Sequence, residues 1–187
     1  MRILRASDRI ATPWKNGGGV TTEVAVFPAG AGFDDFGWRV SIAQITRGGP
    51  FSIFPGIDRE LGMLDGRVSL KIAGRDAIDL SPGSEPARFP GDVATSAVLV
   101  GGSATDLNVM TRRGMFASRM TRQRRIAVEA EAVAVFAFPL EAITARDKGG
   151  AIALSRGDAL FFSAGDSPVL QDADFYQIAI FRPEKPG

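Results

Sequence analysis

The sequence predicts a nearly all-β chain built from two packed halves, and three observations carry that expectation. Glycine and proline, 22 and 11 of 187 residues, are scattered along the whole length and punctuate many short segments. The segments between them alternate polar and apolar residues or are rich in Val, Ile, Phe and Tyr, as a pleated surface favours. A weak repeat divides the chain: Gly91-Asp92 and Gly157-Asp158 each precede a strand-like segment, and each is followed downstream by a strand ending in arginine, Asp106–Arg112 and Phe175–Arg182.

Taken in order, Trp38–Ala43, Arg67–Ile72 and Leu107–Arg112 alternate and read as strands of the first half. Ala159–Phe162 and Phe175–Phe181 read as strands of the second. Phe138–Ala145 is the one stretch that reads as a short helical turn. The halves meet in the segment Arg113–Arg125, giving a first unit over residues 1–113 and a second over 114–187. No disordered linker separates them, so they are expected to pack as one body.

Composition narrows the chemistry. The chain contains no histidine and no cysteine. Nitrogen- or sulfur-ligated zinc and iron sites, cysteine nucleophiles, disulfides and Ser-His-Asp triads are therefore excluded. A hard cation on carboxylate oxygens is not excluded by composition, but no cofactor and no metal are expected. The net charge of +1 gives no global case for nucleic acid or membrane as partner. The longest apolar run, Ala132–Leu140, is too short to span a bilayer as a helix. The charged segment Met1–Trp14 does not resemble a secretory signal, and a cytoplasmic location is expected. Arginines crowd Arg112, Arg113, Arg119, Arg122, Arg124 and Arg125, with Glu129 and Glu131 close behind, a pattern that reads as salt-bridged surface rather than a nucleic-acid patch.

Two segments stand out as candidate site elements. Pro13–Glu23 carries Gly17-Gly18-Gly19 behind Lys15 and Asn16; its backbone amides can form an anion-binding nest, or the glycines can serve only a close strand crossing. Gly49–Glu60 combines an aromatic and proline wall, including Phe51 and Phe54, with Asp58 and Arg59. These two neighbours cannot share one face of a regular strand. Strand parity places Arg39 with Ser41, Thr21 with Glu23, and Asn108 with Arg112, each opposite an apolar face. The spacing of Gly157, Ser163, Gly165, Pro168 and Asp172 follows the outline of the second cupin motif with Pro168 where that motif has a metal-binding histidine. Counting back from Gly66 puts Arg59 where the first cupin motif has its metal-ligand glutamate. An arginine in that place suits a carboxylate or phosphate ligand.

Trp14–Gly19 with Thr21 and Glu23, Trp38–Ala43, Gly49–Arg59 and Asp106–Met110 with Arg112-Arg113 together resemble the signatures of the HutD/Ves family. The resemblance spans essentially the whole chain and is densest through residue 113. It implies an all-β bicupin fold, two packed small β-barrels or sandwiches without the usual cupin metal. It also implies a link to histidine utilisation or stress, through binding of a pathway intermediate such as formylglutamate. The expected function is non-catalytic binding of a small anionic metabolite by Lys15, Asn16, Arg39, Ser41, Phe54, Asp58, Arg59, Asn108 and Arg112, with a homodimer left open. The competing expectation is a metal-independent isomerase or hydrolase using Glu23 or Asp58 as general base. A third is an interaction module that docks through its arginine-rich stretch.

Overall fold

The structure is a computed structural model and describes residues 1–127, 129–147, 150–163, 169–170 and 173–183. The chain opens with β1 (Arg2–Leu4), a single 3-10 turn over Ala6–Asp8, then β2 (Ala11–Pro13), β3 (Gly19–Phe27) and β4 (Trp38–Ile45). It continues through β5 (Gly49–Pro50), β6 (Ile57–Asp65), β7 (Val68–Ile72), β8 (Ile78–Leu80), β9 (Ala87–Pro90), β10 (Thr95–Leu99) and β11 (Ala104–Arg112). The remaining strands are β12 (Ala117–Gln123), β13 (Ala134–Pro139), β14 (Ile143–Asp147), β15 (Gly150–Leu154), β16 (Ala159–Phe162), β17 (Val169–Leu170) and β18 (Phe175–Phe181).

Four sheets result. In the first half a six-stranded sheet, ordered β2-β3-β4-β11-β6-β9, faces a four-stranded sheet, β5-β10-β7-β8. In the second, a five-stranded sheet, β1-β16-β13-β18-β12, is accompanied by a three-stranded one, β15-β14-β17. Among the described residues each half is a pair of sheets rather than one closed ladder. The predicted strands at Trp38–Ala43, Leu107–Arg112, Ala159–Phe162 and Phe175–Phe181 fall within observed ones, and Arg67–Ile72 does so from Val68 onward.

The central strands of the six-stranded sheet are buried on both faces. One face packs Leu61, Met63, Ala104 and Phe89 against Val68, Leu70, Ile72 and Ala97 of the smaller sheet. The opposite face packs Trp38, Val40, Leu64, Leu107 and Val109 against Met120, Phe136, Phe138, Tyr176, Ile178 and Ile180 of the second half. This explains why β6 and β11 contain so few exposed positions. A strand covered on both sides cannot use a polar face for solvation, so its polar residues must find partners inside the protein. Glu60 illustrates the rule. It lies on the face toward the second half, accepts a hydrogen bond from Ser118 Oγ and accepts another at 2.8 Å from the amide of Met120. Its carboxylate thereby caps the outer edge of β12, the last strand of its sheet.

Two expectations need correction. Phe138–Ala145 forms no helical turn: Phe138 and Pro139 end β13 and β14 begins at Ile143. Pro139 has no amide to donate, and the Phe138 side chain is drawn into the core between the halves. The division after Arg113 is also crossed, because β1 pairs antiparallel with β16 of the second half. That N-terminal strand covers an otherwise open edge. It is anchored by Asp158, which accepts from the Ala6 amide at 2.8 Å and from Arg5 at 2.8 Å. Asp92, its counterpart in the repeat, likewise accepts from Arg113 and from the Gly56 amide. The second cupin-like motif falls partly outside the described residues, at Ala164, Gly165, Pro168 and Asp172.

Candidate anion site in the first half

The site is built by the ladder of the six-stranded sheet. Directly opposed residues share a face, so the register fixes what lies side by side. One row across the sheet is Val26, Arg39, Met110, Arg59 and Phe89; the next is Glu23, Ser41, Asn108, Leu61 and Ala87; a third contains Thr21, Ala43, Asp106 and Met63. Leu61, Met63 and Phe89 belong to the core between the two sheets, so Ser41, Arg59, Asp106 and Asn108 face that interior, while Glu23 lies at its exposed margin. A register shift between Glu23 and Ala25 in β3 keeps Glu23 on this side while Val24 and Ala25 pack toward the second half.

At the centre is a relay of three side chains. Arg59 Nη2 donates to Asn108 Oδ1 at 2.8 Å, and Asn108 Nδ2 donates to Asp106 Oδ1 at 3.0 Å. The Asn108 amide therefore has only one productive orientation, because its oxygen must meet a guanidinium and its nitrogen a carboxylate. Arg59 is 7% exposed and Asp106 2% exposed. Burial pulls the Arg59 guanidinium down to about 10, with Asp106 opposing, and it remains cationic at neutral pH. Burial pushes the Asp106 carboxyl up to about 6, with the Asn108 hydrogen bond and the Arg59 charge acting against it. The guanidinium carbon of Arg59 lies 4.9 Å from the Phe51 ring centre and 5.3 Å from that of Phe89. Such aromatic faces partly replace lost hydration of a cation, each by about 0.5–2 kcal/mol. Arg59 Nε is buried with no hydrogen-bond partner among the described residues.

Arg39 stands one strand away from this relay. It pairs with Glu23 at 3.3 Å and lies 4.2 Å over the Phe33 ring, which in turn stacks on Phe54 at 5.7 Å. Burial lowers the Arg39 pKa from its ordinary value, and Glu23 works in the other direction. Phe33 is exposed, so this aromatic pair forms the rim. A recess of about 80 Å³ at the Trp14 end of the same half is lined by Trp14, Asn16, Arg47, Pro50 and Phe51. It shares the Phe51 ring with Arg59.

Of the residues singled out from sequence, the structure brings Arg39, Ser41, Arg59 and Asn108 onto one interior face, with Phe54 at its rim. The others serve different ends. Asp58 lies on the opposite face of β6 and accepts from Arg113 Nη2 at 2.8 Å, so it is neither a ligand contact nor a general base facing this site. Arg112 spends its guanidinium on the backbone oxygens of Phe36 and Asp34, holding the segment between β3 and β4. Lys15 is exposed in the turn before β3, and Asn16 Oδ1 accepts from the Gly18 amide. The triple glycine serves the strand crossing: a Cβ on Gly19 would lie 2.4 Å from the Gln44 carbonyl oxygen. The arginine-rich stretch is largely tied down, Arg119 to Glu129 and Arg122 to Asp174.

Sequence reasoning missed Asp106, although the signal was present. Asp106 and Asn108 are two residues apart on one strand and must share a face. Phe89 and Phe33 carried no distinguishing pattern. The donor set does not fit a cupin metal. Histidine and cysteine are absent, no group of three carboxylates converges among the described residues, and a buried guanidinium occupies the middle of the face.

The sequence profile of the HutD family matches residues 6–177. The chain belongs to the HutD family. A relative from Pseudomonas putida, an "uncharacterized 21.2 kDa protein in hutC 3′ region", is 37% identical over 64% of this chain. Protein Ves of Citrobacter koseri is 40% identical over 54% of this chain. The chain spans 63% and 52% of the length of these two relatives. Among solved structures, HutD from Pseudomonas fluorescens SBW25 superposes with a TM-score of 0.80 at 28% identity, covering 97% of this chain and 98% of that one. A conserved protein of unknown function from Pseudomonas aeruginosa PAO1 gives the same TM-score and identity over 96% of this chain and 98% of its own. A cupin barrel protein from Leptotrichia buccalis, at 10% identity and a TM-score of 0.56 over 88% of this chain and 89% of that one, shares the fold. No helix among the described residues is long and apolar enough to cross a membrane.

Proposed function

We propose that this HutD-family protein binds a small carboxylate at Arg59, without transforming it, and so reports or limits flux through a cytoplasmic breakdown pathway. The observation that carries the reading is the buried Arg59, whose Nε has no partner among the described residues while Nη2 is fixed by Asn108. A guanidinium held by one edge offers another for an incoming carboxylate, and in a low-dielectric interior such charge-assisted hydrogen bonds are strong. Ser41, next to Asn108 across the ladder, supplies a hydroxyl that can orient the ligand. Phe51 and Phe89 wall the site, as apolar surfaces do in small-molecule pockets. The hutC-region relative and the HutD structure support a histidine-utilisation context, and within it a breakdown intermediate such as formylglutamate is the ligand to test.

The test is a thermal-shift screen of the protein against small carboxylates, histidine-breakdown intermediates included. A ligand present at a hundred times its dissociation constant adds about 2.7 kcal/mol of stability, a clear rise in Tm. A screen in which no carboxylate shifts the wild-type protein beyond its Arg59→Ala variant contradicts the reading.

A further inference from the structure

The interior face of the site is balanced in charge: Arg39 is offset by Glu23 and Arg59 by Asp106. An anion beside Arg59 therefore has a like charge one amide away, on Asp106. The two carboxylates differ in their surroundings. Glu23 has a side chain 41% exposed and is paired directly with Arg39. Asp106 is sealed: its ladder neighbours are Ala43 on β4 and Met63 on β6, and the facing sheet presents Leu70, Ile72 and Ala97. The charged groups that face it are Arg59 from β6, through Asn108, and, further along the same face, Arg39 from β4 and Glu23 from β3.

We propose that Asp106 sets the charge of the anion site, so that a small anion binding beside Arg59 is accompanied by uptake of one proton on Asp106. This rests on the carboxylate-binding reading above. The step balances simply: a proton from solvent neutralises the Asp106 carboxylate, and the site gains one positive charge for the anion it receives. Protonated, Asp106 keeps a carbonyl oxygen to accept from Asn108 Nδ2, so the relay that fixes Arg59 survives. Burial already holds this carboxyl at about 6, close enough to neutrality for a second negative charge to lift it through the physiological range. By linkage, whatever raises the proton affinity on anion binding raises the anion affinity on protonation.

The experiment is titration calorimetry with formate, which stays ionised between pH 5 and 8, in buffers of different ionisation enthalpy. Affinity is expected to rise about tenfold for each unit by which bound formate lifts the Asp106 pKa, with net proton uptake near neutral pH. Asp106→Asn, neutral at every pH, is expected to bind formate at pH 7.5 as tightly as the wild type at pH 5, with no pH slope. Glu23→Gln is expected to keep the slope. Formate binding with equal affinity at both pH values, or a slope that persists in Asp106→Asn or vanishes in Glu23→Gln, overturns the inference and leaves the carboxylate reading standing. No formate binding at any pH, in the wild type and Asp106→Asn alike, overturns both. Should Asp106→Asn not fold, carbon NMR of the wild-type Asp106 carboxyl decides the matter. Its midpoint must move upward with formate, and an unmoved midpoint overturns the proposal.

Discussion

Replacing Glu60 by alanine removes a carboxylate that joins the two halves through buried hydrogen bonds. In the native protein it accepts from Ser118 Oγ and from the Met120 amide, both on β12. Hydrogen bonds to a charged group contribute about 1.5–3 kcal/mol each, and stranding a buried donor costs a similar amount. Two donors are stranded here, one of them a backbone N–H on β12, the last strand of its sheet. The two losses share one partner and do not add fully, so Glu60→Ala is expected to cost about 3–5 kcal/mol. Glu60→Gln keeps one acceptor oxygen and turns its amide toward the other donor, so it is expected to cost a large part of that, about 2–3 kcal/mol. Urea unfolding of the wild type and both variants gives these values from the shift in midpoint at constant m. A Glu60→Ala variant within about 0.5 kcal/mol of the wild type, the range of ordinary surface substitutions, refutes the reasoning.

Other predictions follow from the same contacts. Gly19→Ala places a Cβ against the Gln44 carbonyl in the β3–β4 ladder and is expected to destabilise by about 1–3 kcal/mol in the same assay, while Gly17→Ala meets no atom but strains a backbone at φ +67°. The folded-state Asp106 pKa is raised above its unfolded value of 3.8, so its contribution to stability is fully present below that value and is lost as pH rises through about 6. Asp106→Asn is therefore expected to be more stable than the wild type at pH 7.5, by up to about 3 kcal/mol, with the difference shrinking toward pH 4 in parallel melts. Elemental analysis of dialysed protein is expected to find no stoichiometric zinc, iron, copper or nickel, because the chain offers no nitrogen or sulfur side-chain ligand of the histidine or cysteine type.

Alternation made most of the fold legible. Trp38–Ala43 and Leu107–Arg112 read as strands because their polar and apolar residues separate by parity, and they are β4 and β11. Parity could not say which face was which. In most half-buried strands the polar face meets water, yet here Arg39, Ser41, Asn108 and Asp106 point into the first half while Trp38, Val40, Leu107 and Val109 meet the second. That inversion follows from a second half packing on the sheet, a tertiary fact with no local signature. Asp58-Arg59 was readable as a pair split between two faces, and the structure sends Arg59 inward and Asp58 to Arg113. The role of Arg112 was not legible, because its loop carbonyl partners lie 76 and 78 residues away in sequence. The Gly17–Gly19 run offered two readings, and the 2.4 Å approach of the Gln44 oxygen favours the structural one.

Arg59 is proposed as the anchor of a carboxylate site. The most direct test is calorimetric titration of the best carboxylate from the screen into the wild type and Arg59→Lys. Lysine retains the charge but cannot present two parallel donors while also reaching Asn108. A loss of about 1–2 kcal/mol in binding is expected for Arg59→Lys, with the unfolding midpoint little changed and a larger loss in Arg59→Ala. Equal affinity in the wild type and both variants contradicts the proposal.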